Sequence, residues 1–176
     1  MPKIIDRKIH FHTPWFDLQG KTIQGNDEIS LEEYYSICAE DYVCIVAMTS
    51  DEKIILVEQY RPAVEDYTLE LPAGYVEKGE DPQQAATREL FEETGFHCDN
   101  VNLVGCLHPD TGRLANRQWC FFGNNATPVD SPTEAGVTKV LLPKHQLKEY
   151  ITTSKFNHSL HLAALFLAVV NHKISL

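Results

Sequence analysis

Two β-branched apolar runs, Val43 to Met48 and Ile54 to Gln59, flank the polar tetrad Thr49-Ser50-Asp51-Glu52, a pattern that predicts a hairpin. The first forty residues have a different texture. Ile4 to Phe11 alternates loosely, Thr13-Pro14-Trp15 and Gly25-Asn26-Asp27 read as turns, and Glu33 to Ile37 reads as another short strand. Residues 1–40 are therefore expected to form a small strand-rich extension, and 41–176 the main domain. After the hairpin an extended segment ends at Leu71-Pro72, followed by a glycine-bearing loop from Gly74 to Gly79. A helix should start at Asp81-Pro82: Asp81 suits the cap, Pro82 the first turn, and Gln84 the capping-box position. Gly95 should stop it. Further strands are expected at Val101 to Leu107, Gln118 to Phe122 and Val137 to Leu142, then a short helix after Pro143 and a last helix from about Asn157 to Asn171. Many mixed strands with few helices predict an α/β sandwich around one sheet.

Length and composition narrow this picture. At 176 residues and 43% hydrophobic content, one buried core is the expectation. The 25 acidic residues outweigh 15 basic ones for a net charge of -10, which opposes binding to nucleic acid or to an anionic membrane. Phosphates can still bind if cations mediate. The five cysteines are odd in number and lack CxxC spacing, so neither a disulfide framework nor a zinc site is indicated, and reduced, mostly buried thiols are expected. The start MPKIIDRKIH has no continuous apolar stretch, and Leu160 to Val170 is too short to span a bilayer, which points to the cytoplasm.

Candidate chemistry concentrates on the first helix. At about 100° per residue, Glu89, Glu92 and Glu93 share roughly a third of the helix circumference, with Arg88 at its border. Two such charges about 6 Å apart repel by about 3 kcal/mol at an effective dielectric near 20. A divalent cation reverses that sign, and an oxygen-only donor set without histidine or thiol favours Mg²⁺, with Mn²⁺ as the alternative. Ala85, Ala86 and Leu90 read as ordinary core contacts.

The segment Gly74-YVEKG-Glu80-DPQQAAT-Arg88-Glu89-Leu90-Phe91-Glu92-Glu93-Thr94-Gly95-Phe96 resembles the Nudix signature at every constrained position, with aromatic Phe96 where an aliphatic residue is commoner. The resemblance implies a Nudix-type α/β/α sandwich and metal-dependent cleavage of a phosphoanhydride. It also implies that Glu89, Glu93 and the backbone carbonyl of Ala73 bind the cation. Glu92 then completes or polarises the cluster, Arg88 orients the carboxylates, and Glu80 holds the loop against the helix. The general base in similar enzymes often comes from a loop well after the box; here Glu134 is suitably placed, with Glu92 as the alternative.

The flanks Glu58-Gln59-Tyr60-Arg61-Pro62, Leu69-Glu70-Leu71-Pro72-Ala73-Gly74 and Pro109 resemble the branch of ADP-ribose and nucleotide-sugar pyrophosphatases. A small nucleotide-sugar substrate follows from that resemblance. Asp110 to Arg117 departs from it, replacing the commoner proline-glycine turn and adding two arginines. Arg61 and Arg113 are candidates for phosphate or ribose contacts, or else for internal salt bridges. Trp15 is a candidate base-stacking residue across a subunit interface, or else packing. Trp119 reads as core, and the pairs His10/His12 and His158/His161 lack enough neighbours in sequence for a metal site. The family and the extension together imply a homodimer. Two alternatives stand beside this reading: a Nudix hydrolase of another nucleoside diphosphate derivative, such as a dinucleotide or cap, and a non-catalytic ligand-sensing module. Such modules usually lose box glutamates, and all are present here.

Overall fold

The structure, a computed structural model, describes residues 2–25, 31–130 and 133–175. Asn26 and Asp27 of the expected turn, and Ser131 and Pro132 ahead of Glu134, lie outside them. The chain divides into two compact units, 1–41 with 108–117, and 42–107 with 118–176.

In the first unit, β1 (Lys3–His12), β2 (Asp17–Gln24) and β3 (Leu31–Cys38) form an antiparallel sheet in sequence order. The unusual segment 110–117 is tied to β3: Ile37 N–H donates to the Arg113 carbonyl at 2.8 Å, and Ala115 N–H to the Ile37 carbonyl at 2.9 Å. Its departure from a tight turn thus has a structural role, to extend the third strand's pairing. β1 is exposed along its whole length, including Ile4, Ile5, Ile9 and Phe11.

The second unit is built on one mixed sheet. Its strands are β4 (Tyr42–Thr49), β5 (Lys53–Arg61), β6 (Asp66–Glu70), β7 (Ala73–Tyr75), β8 (Phe96–His97), β9 (Val101–Leu107), β10 (Gln118–Pro128) and β11 (Val137–Pro143). β4 lies parallel to β10 and antiparallel to β5. β4 reads as a continuous apolar run because both its faces are covered, and successive side chains enter opposite cores. Cys44 and Val46 join Leu147, Ala164 and Leu165, from α2 (Leu147–Thr152) and α3 (Ser159–Val170). Val43, Ile45 and Ala47 join Ala85, Ala86 and Leu90 of α1 (Pro82–Thr94) on the other side. The layers are helix, sheet, helix, as the mixed pattern predicted.

Beyond the hairpin turn, β4 and β5 pair only through Ala47 with Ile55 and Met48 with Ile54, and then diverge. β6 pairs with the freed edge of β5, and β7 with that of β4. This divergence sets Gln59 and Arg61 on one strand near Ala73 and Gly74 on another. The expected strand Gln118 to Phe122 runs on to Pro128, because Thr127 and Pro128 find partners in β8. Of the five free cysteines, Cys44, Cys98 and Cys120 are buried, Cys38 is half-buried and Cys106 is exposed. Among the described residues no helix is long and apolar enough to cross a membrane.

Candidate active site

Helix α1 is fixed at both ends by local chemistry. Asp81 caps it, its carboxylate accepting from the N–H groups of Gln83 and Gln84, so Gln84 enters the cap through its backbone. Gly95 ends it in the left-handed region at φ 67°, where a side chain is disfavoured. The last carbonyls of a helix need partners from outside. Here Gly95 N–H takes that of Phe91, Glu134 N–H that of Glu92 at 3.0 Å, and the Lys139 ammonium that of Thr94 at 2.9 Å. The loop carrying Glu134 is thereby fastened to the end of the helix that presents the carboxylates.

Arg88 is the hub of the helix face. Its Nε and Nη2 grip the Glu80 carboxylate at 2.9 and 3.1 Å, and Nη2 also reaches the Tyr75 carbonyl at 3.0 Å. Nη1 binds Glu89 at 2.7 Å and Glu92 at 3.1 Å. All three guanidinium nitrogens are occupied, so the planar fork fixes loop and carboxylates together. The Glu80 hydrogen bond, foremost among these contacts, raises the Arg88 pKa further above its ordinary value.

The three carboxylates differ. Glu93 is buried and accepts from Ala73 N–H at 3.0 Å. Burial, above all, with the charges of Glu89 and Glu134 adding, pushes its pKa up to about 8. Glu89 is only 12% exposed and its pKa is also raised, first by burial, against the opposing pull of Arg88. Glu92 is 51% exposed and touches Arg88 from outside. Gly74 has no room for a side chain, since a Cβ there would overlap the Glu89 carboxylate. The glycine of the box is thus explained by close approach of helix to strand.

Glu89, Glu93, Ala73, Gly74, Arg61 and Glu134 line one cleft of about 340 Å³, together with Gln59, Tyr75, Glu77 and Arg88. Glu92 borders an adjoining depression with Phe91 and Thr133, which Glu89 and Glu134 line as well. Gln59 was missed by sequence reasoning, although it stands two residues before Arg61 on β5, so the strand's period of two could have found it. Arg61 forms the internal salt bridge that was one of its two expected roles: Nε and Nη2 clasp the buried Glu70 at 2.8 and 2.7 Å, and the residue lines the cleft. Burial pushes Glu70 up, but Arg61 and Thr68 outweigh it and hold its pKa at about 2.

Arg113 and Trp15 belong to the first unit, whereas the described residues that line the cleft all belong to the second. Arg113 is 81% exposed and pairs weakly with Asp110 at 3.4 Å. Trp15 is exposed at the β1–β2 turn, beside a pocket with His12, Pro14 and Cys38. Trp119 is partly buried against the α1-side core. The histidine pair at the start of α3 does gain a neighbour that sequence spacing could not show: donor atoms of Glu70, His158 and His161 lie within 4.8 Å of one another.

Comparison with known proteins agrees with this architecture. Over 104 residues the chain is 58% identical to an ADP-sugar pyrophosphatase of Mus musculus, covering 54% of this chain and 48% of that protein. Over 70 residues it is 40% identical to an ADP-ribose pyrophosphatase of Bacillus subtilis, covering 40% and 38% respectively. The chain thus spans about half or less of the length of these relatives. A solved structure described as an ADP compounds hydrolase superimposes with a TM-score of 0.84 at 21% identity, over 98% of this chain and 94% of its own, which shows a shared fold. The family model described as NUDIX domain matches residues 40–158, a span that contains the whole box, the capped helix and the cleft built on them. By that match over more than half its length, the chain belongs to the Nudix domain family.

Proposed function

We propose that the chain is a divalent-metal-dependent pyrophosphohydrolase that splits the diphosphate of ADP-ribose or a related nucleotide sugar into a nucleoside monophosphate and a sugar phosphate. The observation that carries this reading is Glu93, a buried carboxyl lifted to about 8 beside Glu89, whose pKa is raised too, and Glu134. Such a cluster favours a proton or a cation over bare charge. The donor set fits Mg²⁺ or Mn²⁺: Glu89, Glu93 and the Ala73 backbone offer only oxygen, and all line the cleft near the C-terminal end of α1, where the helix dipole favours positive charge. A bound ion supplies charge neutralisation on the diphosphate and acidifies a coordinated water.

The chain's own residues supply the rest. Arg88 keeps Glu89 and Glu92 in place, and Glu80 keeps Arg88 in place. Arg61, oriented by Glu70 and with Nη1 unbonded among the described residues, is positioned to bind a phosphate oxygen. Glu134 lines the cleft with Glu89 and Glu93, where Glu92 does not, and also reaches the depression that Glu92 borders, which supports Glu134 as the general base. Glu134 takes a proton from water, the water oxygen bonds to one phosphorus, and the bridging oxygen leaves with the other phosphate. The curated relatives' printed names, ADP-ribose and ADP-sugar pyrophosphatase, support the substrate class. The reading includes a homodimer through residues 1–40, supported by the bare apolar side chains of β1.

The test is a panel of ADP-ribose, ADP-glucose, GDP-mannose, UDP-glucose, NADH and diadenosine compounds with Mg²⁺, scored for released phosphate monoesters. ADP-ribose should be cleaved, and a chelator should stop the reaction. Glu93→Gln should nearly abolish turnover while the fold survives, because an amide oxygen can still accept from Ala73 N–H. No cleavage of any member would favour the ligand-sensing alternative.

A further inference from the structure

The segment Leu71-Pro72-Ala73 joins β6 to β7 and carries the Ala73 backbone into the cleft. Three partners from three different elements hold it. The Pro72 carbonyl accepts from Ile45 N–H of β4 at 3.0 Å, and Ala73 N–H donates to Glu93 of α1 at 3.0 Å. Leu71 N–H donates to Nδ1 of His161, ninety positions later on α3, at 3.1 Å. Leu71 is fully buried and Pro72 has no N–H to offer, so without His161 the Leu71 donor would be stranded away from water.

The geometry settles the tautomer of His161. Leu71 N–H can only donate, so Nδ1 carries the lone pair and Nε2 the hydrogen, which is given to the Tyr42 hydroxyl at 3.0 Å. Burial, with His158 adding, presses the His161 pKa down to about 3, so the ring stays neutral and Nδ1 stays an acceptor. The same facts argue against a second metal at Glu70, His158 and His161. Both nitrogens of His161 are used, and Glu70 is clasped by a cationic guanidinium. The two imidazoles also stack with centroids 3.9 Å apart at 22°, so their in-plane lone pairs run side by side rather than converge.

We propose that His161 is a positioning residue of the cleft: through Leu71 N–H, the helix on the far side of the sheet sets the Ala73 backbone against Glu93. The inference rests on the hydrolase reading for the role of Ala73 as a cation ligand. It assigns to α3, which contributes no described residue to the lining of the cleft, control over cation affinity.

The test uses the full chain without nucleotide and reads two quantities, Mn²⁺ affinity by electron paramagnetic resonance and exchange of the Leu71 amide by NMR. His161→Leu removes the acceptor. His161→Gln places its amide near the Nε2 position and leaves Nδ1 empty, while His161→Asn puts an oxygen close to Nδ1. Leu and Gln variants should bind Mn²⁺ roughly tenfold or more weakly, the scale typical of lost outer partners of metal ligands. In both, Leu71 should exchange faster. The Asn variant should stay near wild type in both readouts. Wild-type Mn²⁺ affinity in a folded Leu or Gln variant would overturn the role of His161 and leave the hydrolase reading intact. A wild-type chain that binds no Mn²⁺ would overturn the hydrolase reading and this inference with it. Should His161→Leu fail to fold, the Asn and Gln variants still give the comparison, and equal affinities in those two would dismiss the proposal.

Discussion

Glu93 is the residue on which the proposed chemistry turns, and its burial makes a pH signature. In the metal-free folded chain it holds a proton up to about pH 8, while in the unfolded chain it releases that proton near 4.5, the ordinary value of a glutamate. Between those limits the folded state binds more protons, so its stability falls as pH rises through the window. In the proposed site a cation would replace the proton. The gain in thermal midpoint from saturating Mg²⁺ or Mn²⁺ should therefore be larger at about pH 8.5 than at about pH 6, and Mn²⁺ affinity should climb toward about pH 8 and then level. A pH-independent gain, read by scanning fluorimetry, would remove Glu93 from the cation site. Glu134 gives a second residue-scale expectation. Glu134→Gln should lower kcat about a hundredfold at saturating Mg²⁺, within the usual range for a lost general base. An unchanged rate would return that role to Glu92.

At the scale of elements, α1 was legible almost to the residue, since cap, first-turn proline and terminal glycine act within a few positions of one another. Asp81→Ala should cost about 1 kcal/mol in a urea titration while leaving the rate constants near wild type, because the cap lies at the opposite end of the helix from Glu93. A cost near zero would mean that the two cap bonds do not stabilise the helix. Strand ends were less legible. β10 outruns its apolar run because β8 offers a partner, and no local pattern announces a partner. Segment 110–117 likewise read only as a departure from the commoner proline-glycine turn, and its pairing with β3 had no local signal.

For the whole molecule, the exposure of β1 carries the prediction of assembly. It is an end strand of its sheet, its outer edge has no strand partner among the described residues, and its isoleucines and Phe11 are exposed. Light scattering should give twice the 20.0 kDa of one chain, and charged substitutions at Ile5 and Ile9 should shift the population to monomer. A concentration-independent monomer in the wild type would remove the dimer, and with it the case for Trp15 as a residue of a partner's site.

The sequence alone determined what depends on short spacing. Helical geometry puts Glu89 and Glu93 on one face whatever surrounds them, the apolar runs and polar tetrad of residues 43–59 mark the hairpin, and Asp81 and Gly95 bound the helix. Tertiary structure decided what depends on strand register and layer packing. It brought Ala73 to Glu93 across 20 positions, separated the buried Glu93 from the exposed Glu92, clasped Arg61 to Glu70, and set His161 under Leu71 across 90 positions. Those contacts join residues whose separation along the chain carries no periodic signal, so only the folded arrangement of sheet and helices specifies them.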